Sequence, residues 1–139
     1  MWGGWGDRCF LALHSPVGYS QSMDVAPPVS VIETASYLRR SAKLLSEAER
    51  TAIVDYLATH PTAGDLIPGG GGIRKLRWGA EGRGKRGGVR IVQFFADERF
   101  PVFLLDLFAK NERANYSDAE LALVRDIAKL LIGSYARRI

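Results

Sequence analysis

From Val29 onwards, the spacing of apolar residues first fits a strand and then fits a helix. β-branched residues favour a strand over Val29 to Glu33, and Thr34 directly after it can cap a helix. Apolar or small side chains then recur at helical intervals, at Tyr37, Leu38, Ser41, Leu44 and Leu45. The pattern therefore predicts a strand followed by a first helix.

A second helix is predicted from its start and stop signals. Ser46 and Glu49 have the spacing of a capping box, in which each side chain satisfies an amide at the start of a helix. Pro61 ends the helix near His60, because proline has no amide hydrogen to continue the ladder. The apolar positions that share a face of this helix are Ala52, Ile53, Tyr56 and Leu57.

Three strands are predicted after a glycine-rich connection. The connection, Asp65 to Gly72, lacks the lysine and hydroxyl residue of a phosphate-binding loop and is interpreted as a flexible link. Ile73 to Trp78 and Val89 to Ala96 favour strands, and the charged, glycine-rich Gly79 to Gly88 joins them as a long hairpin. The nearly continuous apolar run Val102 to Phe108 suits a central strand.

The end of the chain predicts one long helix. Ser117 and Glu120 repeat the capping-box spacing. An apolar stripe follows at steps of three and four, at Leu121, Val124, Ala128, Leu131 and Tyr135. The complete order of elements predicts an α+β domain with a small, mainly antiparallel sheet, two N-terminal helices and a C-terminal helix, all helices gathered on one side.

Composition is that of one globular domain, with 139 residues, 47% apolar and 24% charged. No apolar run has the length of a membrane-spanning helix. Cys9 is the single cysteine, which excludes an internal disulfide and fits a reducing cytoplasm. The two histidines, His14 and His60, stand apart without other metal-ligand residues at suitable spacing, so neither a metal nor a cofactor is expected.

Residues 1 to 22 differ from the rest, since they are rich in glycine, serine and tryptophan without sustained periodicity. They stop just before a second methionine, Met23, which we interpret as the natural start of the protein. A genuine mobile arm is the alternative. The predicted folded domain covers residues 29 to 135.

Positive charge is concentrated in one segment. The whole chain carries a net charge of +4, and the stretch from Arg74 to Arg90 holds seven basic residues against Glu81 alone. The remainder is therefore slightly acidic. A concentrated basic segment on a nearly neutral body favours a polyanion as partner, and nucleic acid is the commonest one.

Strand alternation divides the basic residues of this segment between two faces. Residues two apart on a strand share a face, so Lys75 and Arg77 point one way and Arg74, with Leu76 and Trp78, points the other. We expect Leu76 and Trp78 to face the helices. Trp78 is interpreted as a core residue rather than a base-stacking platform, as are Phe94 and Phe95.

Three segments in this order resemble the RelE/HigB toxins of the RelE/ParE superfamily. They are Gly71 to Trp78 (GGIRKLRW), Gly84 to Gln93 (GKRGGVRIVQ) and Leu104 to Ser117 (LLDLFAKNERANYS), and the likeness covers about Val29 to Ile132. The resemblance implies a RelE-like fold and cleavage of messenger RNA, usually on the translating ribosome. It also implies a cognate antitoxin, of the helix-turn-helix, HigA-like kind, through which alone the toxin would reach operator DNA, and no membrane.

The resemblance also assigns candidate site residues. The catalytic candidates are Lys75, Arg77, Arg90 and Lys110, and the RNA-binding candidates are Arg74, Arg83, Lys85, Arg86, Arg113 and Tyr116. Some relatives have an arginine where this chain has Asn111, and some use a tyrosine near Tyr116 or Ser117.

RNA cleavage without a metal needs few kinds of side chain. A base removes the proton of the ribose 2′-hydroxyl, cations hold the charge on phosphorus, and an acid protonates the leaving 5′-oxygen. Crowding by Arg74, Arg77 and Arg90 would disfavour the charged form of Lys75 and let it act as the base. Asp106 is a candidate buried partner for an arginine. The alternatives are a basic module that only binds, and a toxin of the same fold that poisons DNA gyrase.

Overall fold

The computed structural model describes residues 27–79, 88–110, 112 and 115–137. The elements in chain order are β1 (Val31–Glu33), α1 (Ala35–Leu44), α2 (Glu47–Thr59), β2 (Asp65–Leu66), β3 (Ile73–Trp78), β4 (Val89–Phe94), β5 (Val102–Ala109) and α3 (Asp118–Ala136). The α+β class is confirmed. No helix in the described ranges is long and apolar enough to cross a membrane.

Five strands form one sheet in the order β1-β5-β4-β3-β2. Strand β1 runs parallel to β5, with Val31 opposite Val102, and all other neighbours are antiparallel. The register shifts between Val92 and Gln93 where β4 pairs with β5, so one residue of β5 is left without a directly opposite partner there. The predicted pairing of β3 with β4 is confirmed over all six residues of each strand.

The predicted helix starts are confirmed by their capping hydrogen bonds. Thr34 accepts from the Tyr37 amide ahead of α1. Ser46 and Glu49 form a complete capping box at α2, and Ser117 and Glu120 form another at α3. Each cap satisfies amides that have no partner inside the helix, so these boundaries are readable from local sequence.

The prediction that all helices lie on one side of the sheet is wrong. One core cluster packs α1 and α2 against Val89, Ile91 and Leu104. A second cluster packs α3 against the opposite side, which we call the α3 face, at Val92 and Phe103. Neighbouring positions on β4 and β5 are apolar on both sides, so each face must be covered, and the nearly continuous apolar run of β5 has this cause.

The predicted connection Asp65 to Gly72 contains the short strand β2, which the sequence analysis missed. Asp65 pairs with Lys75, and Leu66 pairs with Arg74, at the sheet edge. Gly64, just before β2, has a φ of 99°, and a side chain there would meet the Lys75 carbonyl oxygen at 2.9 Å. Two residues of strand carry too weak a pattern to be recognised, and the glycine permits the close approach.

The bounds of β3 are as predicted, and those of β1, β4 and β5 differ from the predictions by one or two residues. The first strand begins at Val31 rather than Val29, β4 ends at Phe94 rather than Ala96, and β5 extends to Ala109. On α2, Ile53 and Leu57 are buried as predicted, whereas Ala52 and Tyr56 lie at the exposed margin.

Candidate active site on the α3 face of the sheet

Three transverse rows of side chains cross β3, β4 and β5 on the α3 face. We call them the apolar row (Ile73, Phe94, Phe103), the middle row (Lys75, Val92, Asp106) and the arginine row (Arg77, Arg90, Phe108). The α3 residues packed on this face include Val124, Ala128 and Leu131. The face therefore changes from a packed core at the apolar row to a charged surface at the arginine row.

Arg77 and Arg90 are directly opposite each other in the arginine row. Side chains at opposite positions of an antiparallel pair begin about 5 Å apart, and like charges placed so are destabilising. Arg77 is exposed and Arg90 is half-buried. Among the residues that the structure describes, neither forms an ion pair with a carboxylate. Two guanidinium groups on one surface therefore create a local site for an anion.

Lys75 lies on the same face, one row nearer the core, as strand alternation predicts. It is half-buried, and its Nζ donates to Asn115 Oδ1 at 2.8 Å. The expected grouping of Lys75, Arg77 and Arg90 is thus present in the geometry. Asn115 was not singled out from the sequence, because nothing local indicates that it would meet a residue 40 positions earlier.

The residue after Asn115 contacts the other side of the middle row. The Tyr116 hydroxyl donates to Asp106 Oδ2 at 2.7 Å. The Tyr116 ring meets Phe108 at 5.9 Å between centroids and 65° between planes, an edge-to-face arrangement. Tyr116 is thereby placed between the middle row and the arginine row, next to the packed start of α3.

Lys110 lies in the turn after β5, two residues beyond Phe108 of the arginine row. Its backbone amide donates to the Gly88 carbonyl at 3.0 Å, which places it beside the start of β4, and its side chain is exposed. Lys110 therefore adds positive charge at the open end of the site.

Arg74 is not part of this group. It is half-buried, shares the opposite face with Leu76 and Trp78, and its Nη1 donates to the Gly64 carbonyl at 3.0 Å. Arg74 therefore does not crowd Lys75 on the α3 face, and its role is to hold the chain ahead of β2. Arg83, Lys85, Arg86 and Arg113 lie outside the described residues.

The aromatic residues of the two strands lie where the sequence analysis expected them. Trp78 and Phe95 pack against the core under α1 and α2, and Phe94 packs against the core under α3. Their interpretation as core residues is confirmed. Phe108 lies opposite Arg90 and forms an aromatic pair with Tyr116 on the α3 face.

Arg40 on α1 reaches the site from the other side of the sheet, and sequence reasoning missed it. Its Nη2 donates to both carboxylate oxygens of Glu112 at 2.6 and 2.7 Å, and its Nε donates to the Leu107 carbonyl. Asp106 Oδ1 lies 3.8 Å from the same Nε. Arg40 is 67 positions before Leu107, so no sequence interval could have revealed the contact.

Clear pKa shifts within the described ranges lie away from this face. Burial, with the nearby Glu33 charge, raises the pKa of Tyr37 far above its usual range. Hydrogen bonds from Arg99 lower the pKa of the exposed Asp97. No group of three or more His, Cys, Asp or Glu side chains suited to a metal ion occurs in the part of the chain that the structure describes.

Comparison with known proteins gives a family and a similar structure. The family model described as the RelE toxin of the RelE/RelB toxin–antitoxin system matches residues 34–139. A solved structure of a doubly substituted E. coli toxin RelE in the free state is similar over 61% of this chain and 86% of that chain. The sequence identity is 17% and the TM-score is 0.47. The family model covers the chain from α1 to α3, with the three rows of the α3 face, and leaves β1 outside the match.

Proposed function

Because the chain belongs to the RelE toxin family, whose members act in toxin–antitoxin systems, we propose that it is an endoribonuclease that cleaves messenger RNA. Cleavage takes place on the translating ribosome and uses side chains rather than a metal ion. The observation that carries the proposal is the pair Arg77 and Arg90, opposed on the α3 face without a carboxylate partner among the described residues.

The arginine pair is suited to a phosphodiester in the transition state. Guanidinium groups bind phosphate oxygens through paired, charge-assisted hydrogen bonds. During cleavage the phosphorus becomes five-coordinate and its oxygens gain negative charge. Arg77 and Arg90 hold that charge, and donors already in place cost no rearrangement at the moment of reaction.

Proton transfer is assigned to the neighbouring lysines. Lys75 acts as the base that removes the proton of the ribose 2′-hydroxyl as the 2′-oxygen bonds to phosphorus. The bond from phosphorus to the 5′-oxygen breaks, and that oxygen leaves with a proton from Lys110. The products are a 2′,3′-cyclic phosphate end and a free 5′-hydroxyl end. Tyr116 and the basic residues Arg83, Lys85, Arg86 and Arg113 contact the RNA around the cut.

An antitoxin is the partner that this family implies. We propose that it is a helix-turn-helix protein of the HigA kind, and that the toxin meets operator DNA only through it. A short neighbouring reading frame with a helix-turn-helix pattern supports this assignment, and a neighbouring antitoxin of another fold contradicts it.

The test is expression of the chain in bacteria without an antitoxin, followed by mapping of new RNA 5′ ends. Growth arrest with cleavage inside codons supports the proposal. Arrest with DNA breaks indicates a gyrase poison of the same fold, and absence of arrest indicates a basic module that only binds. Purified ribosomes carrying a defined message then give single-turnover rates for Lys75→Ala, Arg77→Ala and Arg90→Ala.

Loss of cleavage in the Lys75, Arg77 and Arg90 variants, with circular dichroism spectra like the wild type, is the expected result. Leu123→Ala, at an exposed position of α3, is the control and keeps the wild-type rate. Wild-type rates for both Lys75→Ala and Arg90→Ala mean that the α3 face is only a docking surface.

A further inference from the structure

Strand β5 has a neighbouring strand along only part of its β1 side. β1 pairs with it from Val102 to Leu104, whereas β5 continues to Ala109. No other strand among the described residues lies on this side of β5. The backbone amides and carbonyls beyond Leu104 therefore need other partners, because buried backbone groups without partners are costly and an open strand edge invites pairing with other chains.

Side chains supply these partners at two positions of β5. The Leu107 carbonyl accepts from Arg40 Nε, and the Leu107 amide donates to Asp106 Oδ1 at 2.8 Å. The Ala109 amide donates to Glu112 Oε1 at 2.8 Å, and the Ala109 carbonyl accepts the Glu112 amide at 3.0 Å. Arg40 and Glu112 thus replace a neighbouring strand at the end of β5.

Arg40 and Glu112 are also bound to each other. Arg40 Nη2 donates to both carboxylate oxygens of Glu112, at 2.6 and 2.7 Å. The side chains are 38% and 43% exposed, and an ion pair this exposed contributes little to stability by itself. One carboxylate nevertheless binds the guanidinium of α1 and the Ala109 amide together. The effect of the pair is therefore to hold the turn after β5 in one conformation.

Lys110 lies inside this turn, between two anchors. On one side, Ala109 is bound by Glu112 through both of its backbone groups. On the other side, the Lys110 amide donates to the Gly88 carbonyl ahead of β4 at 3.0 Å. The Lys110 side chain is exposed. Its direction is therefore set by the backbone of the turn, and that backbone is held by the pair Arg40 and Glu112.

We propose that Arg40 and Glu112 are positioning residues that hold Lys110 where it protonates the leaving 5′-oxygen of RNA. The inference rests on the proposed function, in which the bond from phosphorus to the 5′-oxygen breaks and that oxygen takes a proton from Lys110. A displacement of about 1 Å of a reacting group can cost about a hundredfold in rate. Chemistry on the α3 face thus depends on a residue of α1, which packs on the opposite face.

The first test replaces the leaving oxygen by sulfur. A synthetic message on ribosomes carries a bridging 5′-sulfur at the mapped cleavage site, and its phosphorus–sulfur bond breaks to give a thiolate. A thiolate leaves without a proton, because thiols are far more acidic than alcohols.

Single-turnover rates on the two messages separate the roles of the residues. With the normal message, Lys110→Ala should be slower by about a hundredfold or more. Arg40→Ala and Glu112→Ala should be slower by about ten- to a hundredfold. With the sulfur message these three variants should approach the wild-type rate, whereas Arg77→Ala, which loses phosphate binding, should stay slow on both.

Arg39→Ala is the matched control, because Arg39 is the same residue type at the preceding, exposed position of α1. It should keep the wild-type rate with both messages. The double variant of Arg40→Ala and Glu112→Ala should be no slower than the slower single variant, because both act on one contact. Thermal melting checks the fold of each variant. A purely structural role would slow cleavage of both messages alike, and that result overturns the positioning role.

The second test does not depend on cleavage. Amide hydrogen exchange followed by NMR on the full chain reports the hydrogen bond from the Ala109 amide to Glu112. In Arg40→Ala the carboxylate loses its second anchor, and the Ala109 amide should exchange about two- to tenfold faster, the usual value of one hydrogen bond. Arg39→Ala should leave this exchange rate unchanged.

An unchanged exchange rate in folded Arg40→Ala overturns the proposal, as does an unchanged cleavage rate of this variant with the normal message. Faster exchange in Arg40→Ala, together with a wild type that cleaves no message on ribosomes, supports the hold of Arg40 on the turn and contradicts the proposed ribonuclease. Failure of the two proposals is thereby distinguished.

Discussion

The two faces of the sheet use the same strands for different purposes, and β3 shows the contrast within four residues. Arg74 points to the face under α1 and α2, where its guanidinium donates to the Gly64 carbonyl. Arg77 points to the α3 face, where it is exposed opposite Arg90. The first arginine satisfies a backbone group of the protein, whereas the second makes no such hydrogen bond among the described residues. Residue type alone therefore does not separate the two arginines, and the face on which each lies does.

The free energy of unfolding should be most sensitive to side-chain truncation in the core under α1 and α2. Leu57 on α2 is fully buried in the core under α1 and α2, and Leu57→Ala should lower the free energy of unfolding by about 2–5 kcal/mol. Urea denaturation measures the change. Leu123→Ala, at an exposed position of α3, is the matched control and should change stability by less than about 0.5 kcal/mol. Equal effects of the two substitutions would mean that α2 is not packed as described.

Exchange of arginine for lysine at one position on each face compares the two faces by their effect on the cleavage rate. Arg90→Lys keeps the charge but loses the paired geometry for phosphate, so the single-turnover cleavage rate on ribosomes should fall about tenfold or more, the value of one charge-assisted hydrogen bond. Arg74→Lys should leave that rate unchanged, since Arg74 lies on the opposite face. Similar losses for both would break the distinction between the faces.

The two capping boxes compare the helices of the two faces. Ser46→Ala and Ser117→Ala each remove a hydrogen bond to a helix amide, at 3.1 and 3.2 Å respectively, and each should cost about 1 kcal/mol of stability. Ser117 directly follows Tyr116, so Ser117→Ala should also lower the cleavage rate, whereas Ser46→Ala should not. Melting curves and single-turnover rates on the same samples measure both effects. A cleavage defect in Ser46→Ala would contradict the expectation that only the cap beside Tyr116 affects cleavage.

The smallest expected effect is a gain in stability. Arg77→Ala removes one of two like charges at directly opposite positions, which should raise the free energy of unfolding by about 0.2–1 kcal/mol. The gain should shrink as salt rises, because ions screen exposed charges. Urea denaturation at low and high salt measures it. A loss of stability at both salt concentrations would show that Arg77 has a structural partner.

Much of the fold could be predicted because it is encoded in local intervals. Thr34, Ser46 and Ser117 act on amides three residues away, and the alternation of β3 separates Lys75 and Arg77 from Arg74 within one strand. The prediction that all helices lie on one side of the sheet failed because the order of elements fits more than one placement of the helices. A sheet with apolar residues on both sides needs helices on both sides, but the order of elements does not say which helix goes to which face.

What the sequence by itself determined is therefore the set of elements apart from β2, the helix caps, the pairing of β3 with β4, and the common face of Lys75, Arg77 and Arg90. Tertiary structure alone decided that α3 covers the face of the three basic residues and leaves Arg77 exposed and Arg90 half-buried there. It also decided that Asn115 meets Lys75, Tyr116 meets Asp106, and Arg40 meets Glu112. The physical reason is range: caps and alternation act over a few residues, whereas these contacts join positions 10 to 72 apart that only the packed sheet brings together.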